Sequence, residues 1–229
     1  MENNLEHKKV SWECRFFTKS SSEYLDFIPE SVIVKSKKCE FIFNLDKYIY
    51  IKNSNDVVKF RDNKSLQIKE LIFSDYMYHK FGEKIEIKFP INDEDQKKAE
   101  RLKIFLKKYV GDSSLAKCFN KKKIPSAEDF ISLLKELEIK FKVVDVYKQR
   151  LKFDMANDFV FEVAMLKVKD KHFKSFCFEG NEFNKLETEI KHLGIFDRDK
   201  LNLDDFIKFE HNIVFGYATF LKWLDTCPI

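Results

Sequence analysis

At 229 residues and 44% hydrophobic content the chain is long and apolar enough to bury a core, and its 25 Phe against 5 Gly and 4 Pro set it apart from disordered chains. Lys and Arg number 42 against 38 Asp and Glu, so both signs are abundant and the net charge is only +4, which argues against a bulk nucleic-acid binder. Five scattered cysteines with no CxxC pair suggest neither a disulfide framework nor a zinc knuckle, but thiols in a reducing compartment. The polar start, Met1 to Lys9, predicts no secretory signal, and no stretch approaches the roughly 20 apolar residues of a membrane helix. The expectation is a cytoplasmic protein with no membrane and no disulfide partner.

From Val10 to Phe89 short β-type segments alternate with turn-type residues, the pattern of an antiparallel meander. The predicted strands are Ser11–Phe17, Ser31–Val34, Lys38–Phe43, Lys47–Lys52, Val57–Asp62, Ser65–Phe73 and Lys84–Phe89. Turns are predicted at Asn53–Asp56 and Asp62–Lys64, because Asn and Asp tolerate left-handed backbone. The period then changes. Over Asp93–Tyr109, Ala99, Leu102, Phe105, Leu106 and Tyr109 recur at helical spacing, with acidic residues in the first turn and lysines in the last. Ser126 with Asp129 three residues on predicts the cap of a second helix, which carries Phe130, Leu133, Leu134 and Leu137 on one side. Strands resume at Phe141–Phe153, Asp158–Val168 and His172–Phe178, with turns at Asp154–Asn157 and Lys169–Lys171. A helix over Glu182–Leu193 stopping at Gly194, and a last one within Asn212–Leu224, complete the pattern. No linker or repeat interrupts the chain, so residues 1–229 read as a single domain with a helical insert at about 93–138.

Side chains two apart in a strand share a face. Glu13 therefore lies beside Arg15, Lys59 beside Arg61, and Gln67 beside Lys69; Lys84 aligns with Glu86 and Lys88, and Lys148 with Arg150 and Lys152. Glu162 stands inside the apolar run Phe159–Leu166, and Glu179 ends the run Phe176–Phe178. Solvated faces of a one-sided sheet would explain each strand separately. Lone carboxylates among apolar neighbours fit that reading poorly, because a buried charge needs a partner. If the sheet closes, the charged face becomes a lumen suited to a polyanion, with Arg meeting phosphate through paired hydrogen bonds. A phosphate loop, a dinucleotide glycine pattern and a zincin helix are all missing.

The order of these motifs resembles a divergent CYTH domain, the triphosphate tunnel enzymes of adenylate-cyclase and thiamine-triphosphatase type. The counterparts are Ser11-x-Glu13-x-Arg15, Lys59-x-Arg61, Lys69, Lys148-x-Arg150-x-x-Phe153, Glu162-x-Ala164 and Cys177-x-Glu179, over about Val10 to Leu224. The resemblance implies an α+β fold: a mostly antiparallel closed β-barrel, a tunnel, with helices packed outside. It implies phosphate contacts from Arg15, Lys59, Arg61, Lys69, Lys148 and Arg150, to which the aligned Lys84 is added, and Mg²⁺ or Mn²⁺ held by Glu13, Glu162 and Glu179. Ser11, Ala164 and Cys177 depart from the family pattern, each standing where it has an acid. The basic half is therefore better kept than the acidic half, and the resemblance implies phosphate binding more strongly than hydrolysis.

Three functions follow. The first is a metal-assisted triphosphatase acting on a soluble triphosphate-type small molecule. The second is a binder of phosphate or nucleotide that keeps the cations but has lost part of the metal site. The third is a protein or RNA interaction module using Lys121–Lys123 and the helix face with Lys97, Lys98, Lys107 and Lys108.

Overall fold

The computed structural model describes residues 10–20, 28, 30–75, 77–89, 96–112, 115, 126–193, 206–209 and 212–226. Period-two alternation builds one long antiparallel sheet whose two faces differ in chemistry. Its first strands are β1 (Ser11–Ser20), β2 (Lys38–Ile51), β3 (Val57–Arg61), β4 (Ser65–Lys69), β5 (Leu71–Asp75), β6 (Tyr78–Phe81) and β7 (Ile85–Lys88). After two helices come β8 (Phe141–Asp154), β9 (Val160–Val168) and β10 (Lys171–Gly180). The ten pair in the order β5-β6-β1-β10-β9-β8-β2-β3-β4-β7. Asn53, Asp62 and Asn63 adopt positive φ at the expected turns, as does Lys169 in the β9–β10 hairpin.

Several expectations change. Ser31–Val34, expected as a strand, lies in helix α1 (Glu30–Lys35); of this apolar run, Val32 reaches the core while Ile33 and Val34 stay exposed. So short a run has no period long enough to separate helix from strand. The separate strands expected at Lys38–Phe43 and Lys47–Lys52 are one: β2 pairs with β8 without a break from Lys38↔Asp154 to Ile51↔Phe141, so Asn44–Asp46 does not turn. Ser65–Phe73 divides at Glu70 because the chain changes partners there. β4 pairs with β3 and β7, whereas β5 pairs with β6 across a bulge between Leu71 and Phe73. Strand β6 and a two-residue hairpin, β11 (Lys208–Phe209) with β12 (Asn212–Ile213), were not expected.

The sheet is curled but open, which corrects the closed barrel: among the described residues no ladder joins its end strands β5 and β7. Covalent continuity brings the two ends together instead. The segment Ser65–Asp75 passes through Glu70 from β4, next to the end strand β7, to the opposite end strand β5, and the Gly82 N–H donates to the Glu70 carbonyl at 2.9 Å.

Apolar residues fill the convex face and are covered by helices. α2 (Gln96–Lys107) and α3 (Ala127–Glu136) bring Leu102, Phe105, Leu106, Phe130 and Leu134 against Ile49, Val58, Phe60, Leu66, Ile68 and Ile87. The insert therefore roofs β2, β3, β4 and β7 from outside. The first-turn acids expected from residue 93 lie outside the described residues. α4 (Phe183–Leu193) lays Leu186 and Ile190 in a second cluster with Phe16, Phe153, Phe161, Phe176 and Phe178; Gly194, its expected stop, is also outside the described residues.

The cap of α3 is as predicted: Ser126 has extended backbone, and its hydroxyl accepts from the Asp129 N–H at 3.2 Å. Ser126→Ala should lower stability by about 1 kcal/mol, the usual worth of such a cap. A urea titration showing no loss would contradict that role.

One end of the concave face is apolar and filled. α5 (Gly216–Thr226) inserts Tyr217, Phe220, Leu221 and Leu224 among Phe17, Tyr48, Val146, Leu166 and Phe173 from β1, β2, β8, β9 and β10. Phe17 stacks on Phe220 at 4.2 Å and Tyr48 on Tyr217 at 4.7 Å. Gly216 begins this helix at φ +72, and a Cβ there would meet the His79 ring at 3.0 Å. The curl is thus a cup with α5 as its floor. No described helix is long and apolar enough to cross a membrane.

Candidate functional site

Above that floor the concave face carries charge. Glu13, Arg15, Lys59, Arg61, Lys69, Lys84, Lys148, Arg150, Glu162 and Glu179, the ten candidates, all line one cavity of about 650 Å³, together with Tyr48, Gln67, Lys152, Cys177 and Tyr217. Alternation places them there: the neighbours Cys14, Phe60, Ile68, Phe161 and Phe178 point to the covered convex side. Antiparallel register then aligns the rows. Arg15 faces Cys177, Cys177 faces Glu162, and Glu162 faces Lys152 across β1, β10, β9 and β8.

Two charge groups with different balance occupy the cavity. In the first, one carboxylate serves three cations. Asp46 on β2 is 0% exposed and receives Lys59 Nζ at 2.8 Å, Lys148 Nζ at 3.0 Å and Arg61 Nε at 3.3 Å. Lys148 is wedged between aromatic rings, 4.1 Å from the Tyr217 centroid and 4.7 Å from that of Tyr48, whose hydroxyl accepts from it at 2.5 Å. Three basic groups thus share one carboxylate. Burial, followed by repulsion from Lys148, drives the Lys59 ammonium well below its ordinary pKa, although Asp46 pulls the other way.

The second group is balanced. Arg15 Nε donates to Glu13 Oε1 at 2.8 Å, and its Nη1 donates to Glu162 Oε1 at 3.1 Å and Ser175 Oγ at 2.9 Å. Arg150 Nη1 donates to Glu162 Oε2 at 2.8 Å; its Nε is buried and has no hydrogen-bond partner among the described residues. Lys69 Nζ reaches Glu13 Oε2 at 3.3 Å and Glu179 Oε1 at 3.1 Å, relieving two carboxylates that face each other across β1 and β10. Near the rim Lys84 pairs with Glu86 at 2.6 Å and Lys152 with Asp154 at 2.9 Å.

Burial alone would raise the Glu162 carboxyl, but Arg15, Arg150 and Lys148 outweigh it and bring it from 4.5 to about 2. Glu13 and Asp46 are lowered in the same balance of burial against neighbouring cations. Carboxyls lowered on folding add stability that is fully present above their unfolded pKa and is lost as pH falls through the folded one. Denaturant midpoints should therefore fall steadily from about pH 4.5 towards pH 2. A flat profile over that range would show that these pairs do not contribute.

Mg²⁺ or Mn²⁺ was expected on Glu13, Glu162 and Glu179. Among the described residues no three His, Cys, Asp or Glu side chains converge to hold a metal ion. All four oxygens of Glu13 and Glu162 already accept from a guanidinium or an ammonium. In these pairs neither Glu13 nor Glu162 has a free oxygen to offer a metal ion.

Asp46 and Tyr217 are the residues that sequence reading missed. Asp46 continues the inward alternation of Glu40, Ile42 and Tyr48, a signal hidden by leaving Asn44–Asp46 outside the two predicted strands. Tyr217 belongs to the Gly216-Tyr217 pair at the start of the last helix, which resembles the C-terminal end of the CYTH pattern, but nothing in that pair points to the cavity. Lys121–Lys123, proposed for an interaction surface, lie outside the described residues; on the helix face Lys107 pairs with Asp112 at 2.9 Å, and Lys108 with Glu70 at 3.3 Å and Asp56 at 3.6 Å. Cys14, Cys39 and Cys177 are free thiols.

No protein-family model matches the chain, and no curated protein does. Among solved structures it is similar to the PH1012 protein of Pyrococcus horikoshii OT3, with TM-score 0.45 and 16% identity over 84% of this chain and 93% of that one. It is similar to a candidate adenylyl cyclase from Hippeastrum described as having a dominant triphosphatase activity, with TM-score 0.43 and 11% identity over 81% and 88%. It is also similar to the capping-enzyme triphosphatase of Mimivirus, with TM-score 0.42 and 12% identity over 81% and 89%. What its cavity takes is a matter for its own side chains.

Proposed function

We propose that the cup binds a triphosphate- or polyphosphate-type anion. The observation that carries this reading is the wall of Lys59, Arg61 and Lys148, three basic groups sharing the single carboxylate of Asp46 beside the cavity. An anion there gains charge-assisted hydrogen bonds where water screens weakly. Its oxygens would also meet the unpartnered Nε–H of Arg150. The cavity volume suits a small polyanion, and the floor formed by Tyr48 and Tyr217 stops a long polymer from threading through.

Isothermal calorimetry with inorganic triphosphate tests the reading, with sulfate at equal ionic strength as control. Saturable binding, with a rise in melting temperature that sulfate does not give, supports it. Heat and melting temperature unchanged by triphosphate would overturn it.

Mg²⁺- or Mn²⁺-assisted hydrolysis is the second reading, favoured by Glu13, Glu162 and Glu179 lining the same cavity as the cations. It requires those carboxylates to leave their present partners. Phosphate release with either ion, abolished by Glu179→Ala, would establish it over simple binding.

A further inference from the structure

Arg15 occupies the place between two carboxylates that a bound cation would take. It is 6% exposed, its guanidinium spans Glu13 and Glu162, and it lies over the Tyr217 ring at 4.6 Å. A fixed, planar, permanently charged group of this kind cannot be deprotonated and does not exchange with solvent ions. We propose that Arg15 is the resident cation of the site, and that the cup therefore takes its polyphosphate-type anion in the metal-free form.

Two further features agree. Cys177, directly opposite both Arg15 and Glu162 in the register, and Ala164, opposite both Arg150 and Ser175, bring no additional oxygen ligand to the centre of the cluster. The three carboxylates Glu13, Glu162 and Glu179 are matched by Arg15, Lys69 and Arg150, so this half of the cavity is neutral without an added ion. A divalent ion entering between Glu13 and Glu162 would have to displace buried charge-assisted hydrogen bonds, and it would meet the Arg15 guanidinium as a like charge. The Asp46 group supplies the remaining positive potential. A polyphosphate already carrying Mg²⁺ has part of its charge neutralised and brings a cation towards cations, so it should bind less well than the free anion.

The inference rests on the anion-binding reading, and one set of titrations separates the two. Wild-type protein is titrated with inorganic triphosphate in EDTA and in millimolar MgCl₂, and its melting temperature is followed with MgCl₂ or MnCl₂ alone. Binding in EDTA, weakened about tenfold by excess Mg²⁺, with no shift from either metal alone, is the expected result. Binding that needs Mg²⁺ or Mn²⁺, or stabilisation by the metal alone, overturns the inference and leaves the anion-binding reading standing. Binding under neither condition overturns both.

Arg15→Gln frees the two carboxylates, and it should gain a melting-temperature rise on adding Mg²⁺ that wild type lacks. A folded Arg15→Gln protein indifferent to Mg²⁺ overturns the substitution of guanidinium for metal. If this variant does not fold, the wild-type comparison still decides.

Discussion

Asp46→Ala should be the most damaging single change in the protein, lowering stability by about 3–5 kcal/mol, the range for removing one partner of a buried ion pair. The whole stability of a domain is only about 5–15 kcal/mol, so much of the folded population is at stake. Asp46 is fully buried and is the sole carboxylate within reach of Lys59, Arg61 and Lys148 in the described structure. Its loss leaves three cations facing one another, with Lys148 held in place by Tyr48 and Tyr217 and unable to swing to water. Asp46→Asn should cost less, because the amide oxygen still accepts one hydrogen bond while the charge is gone. The diagnostic result is rescue: inorganic triphosphate should restore more stability to Asp46→Ala than it adds to wild type, since the ligand supplies the missing negative charge. Equilibrium urea titrations with and without triphosphate measure both effects. A loss below about 1 kcal/mol, the scale of an exposed ion pair, would mean that Asp46 does not organise the wall.

The second large effect is on binding. Lys59→Ala combined with Arg61→Ala should weaken triphosphate binding by about 100-fold or more, since hydrogen bonds to charged groups contribute about 1.5–3 kcal/mol each. These two are chosen because both line the cavity and neither is clamped as Lys148 is. Circular dichroism confirms that the double variant folds, and calorimetry gives the affinity. Undiminished affinity in a folded double variant would place the anion elsewhere.

Lys59 also sets the pH response. Burial and the neighbouring Lys148 lower its pKa in the free protein, and an anion beside it must raise that pKa again. Binding therefore takes up a proton between the two values, and affinity should weaken as pH rises through the window. Calorimetry in buffers of different ionisation enthalpy reads that proton directly. Removal of Lys59 should abolish the uptake.

Local pattern carried much of this site and only part of the fold. Alternation determined that Glu13 lies beside Arg15, Lys59 beside Arg61, and Lys148 beside Arg150, because side chains two apart in a strand must share a face whatever the rest of the chain does. The same rule made β8, β9 and β10 legible, and the Ser126–Asp129 spacing located the start of α3. It could not say which face is concave. That was decided when α2 and α3 packed on Val58, Phe60, Leu66 and Ile68, since burying those side chains turned Lys59, Arg61, Gln67 and Lys69 inward.

The failures share a cause. Glu70 lies where β4 and β5 take different partners, and Asn44–Asp46 runs straight because β8 pairs with β2 across it; pairing with a strand far along the chain overrides local turn preference. Sequence by itself determined the charges and the face each occupies, through the fixed geometry of the strand. Only the tertiary structure decided that the sheet stays open, that α5 floors it, and that Arg15 lies between Glu13 and Glu162, because those outcomes depend on long-range packing and on which opposite charges meet when distant strands are brought together.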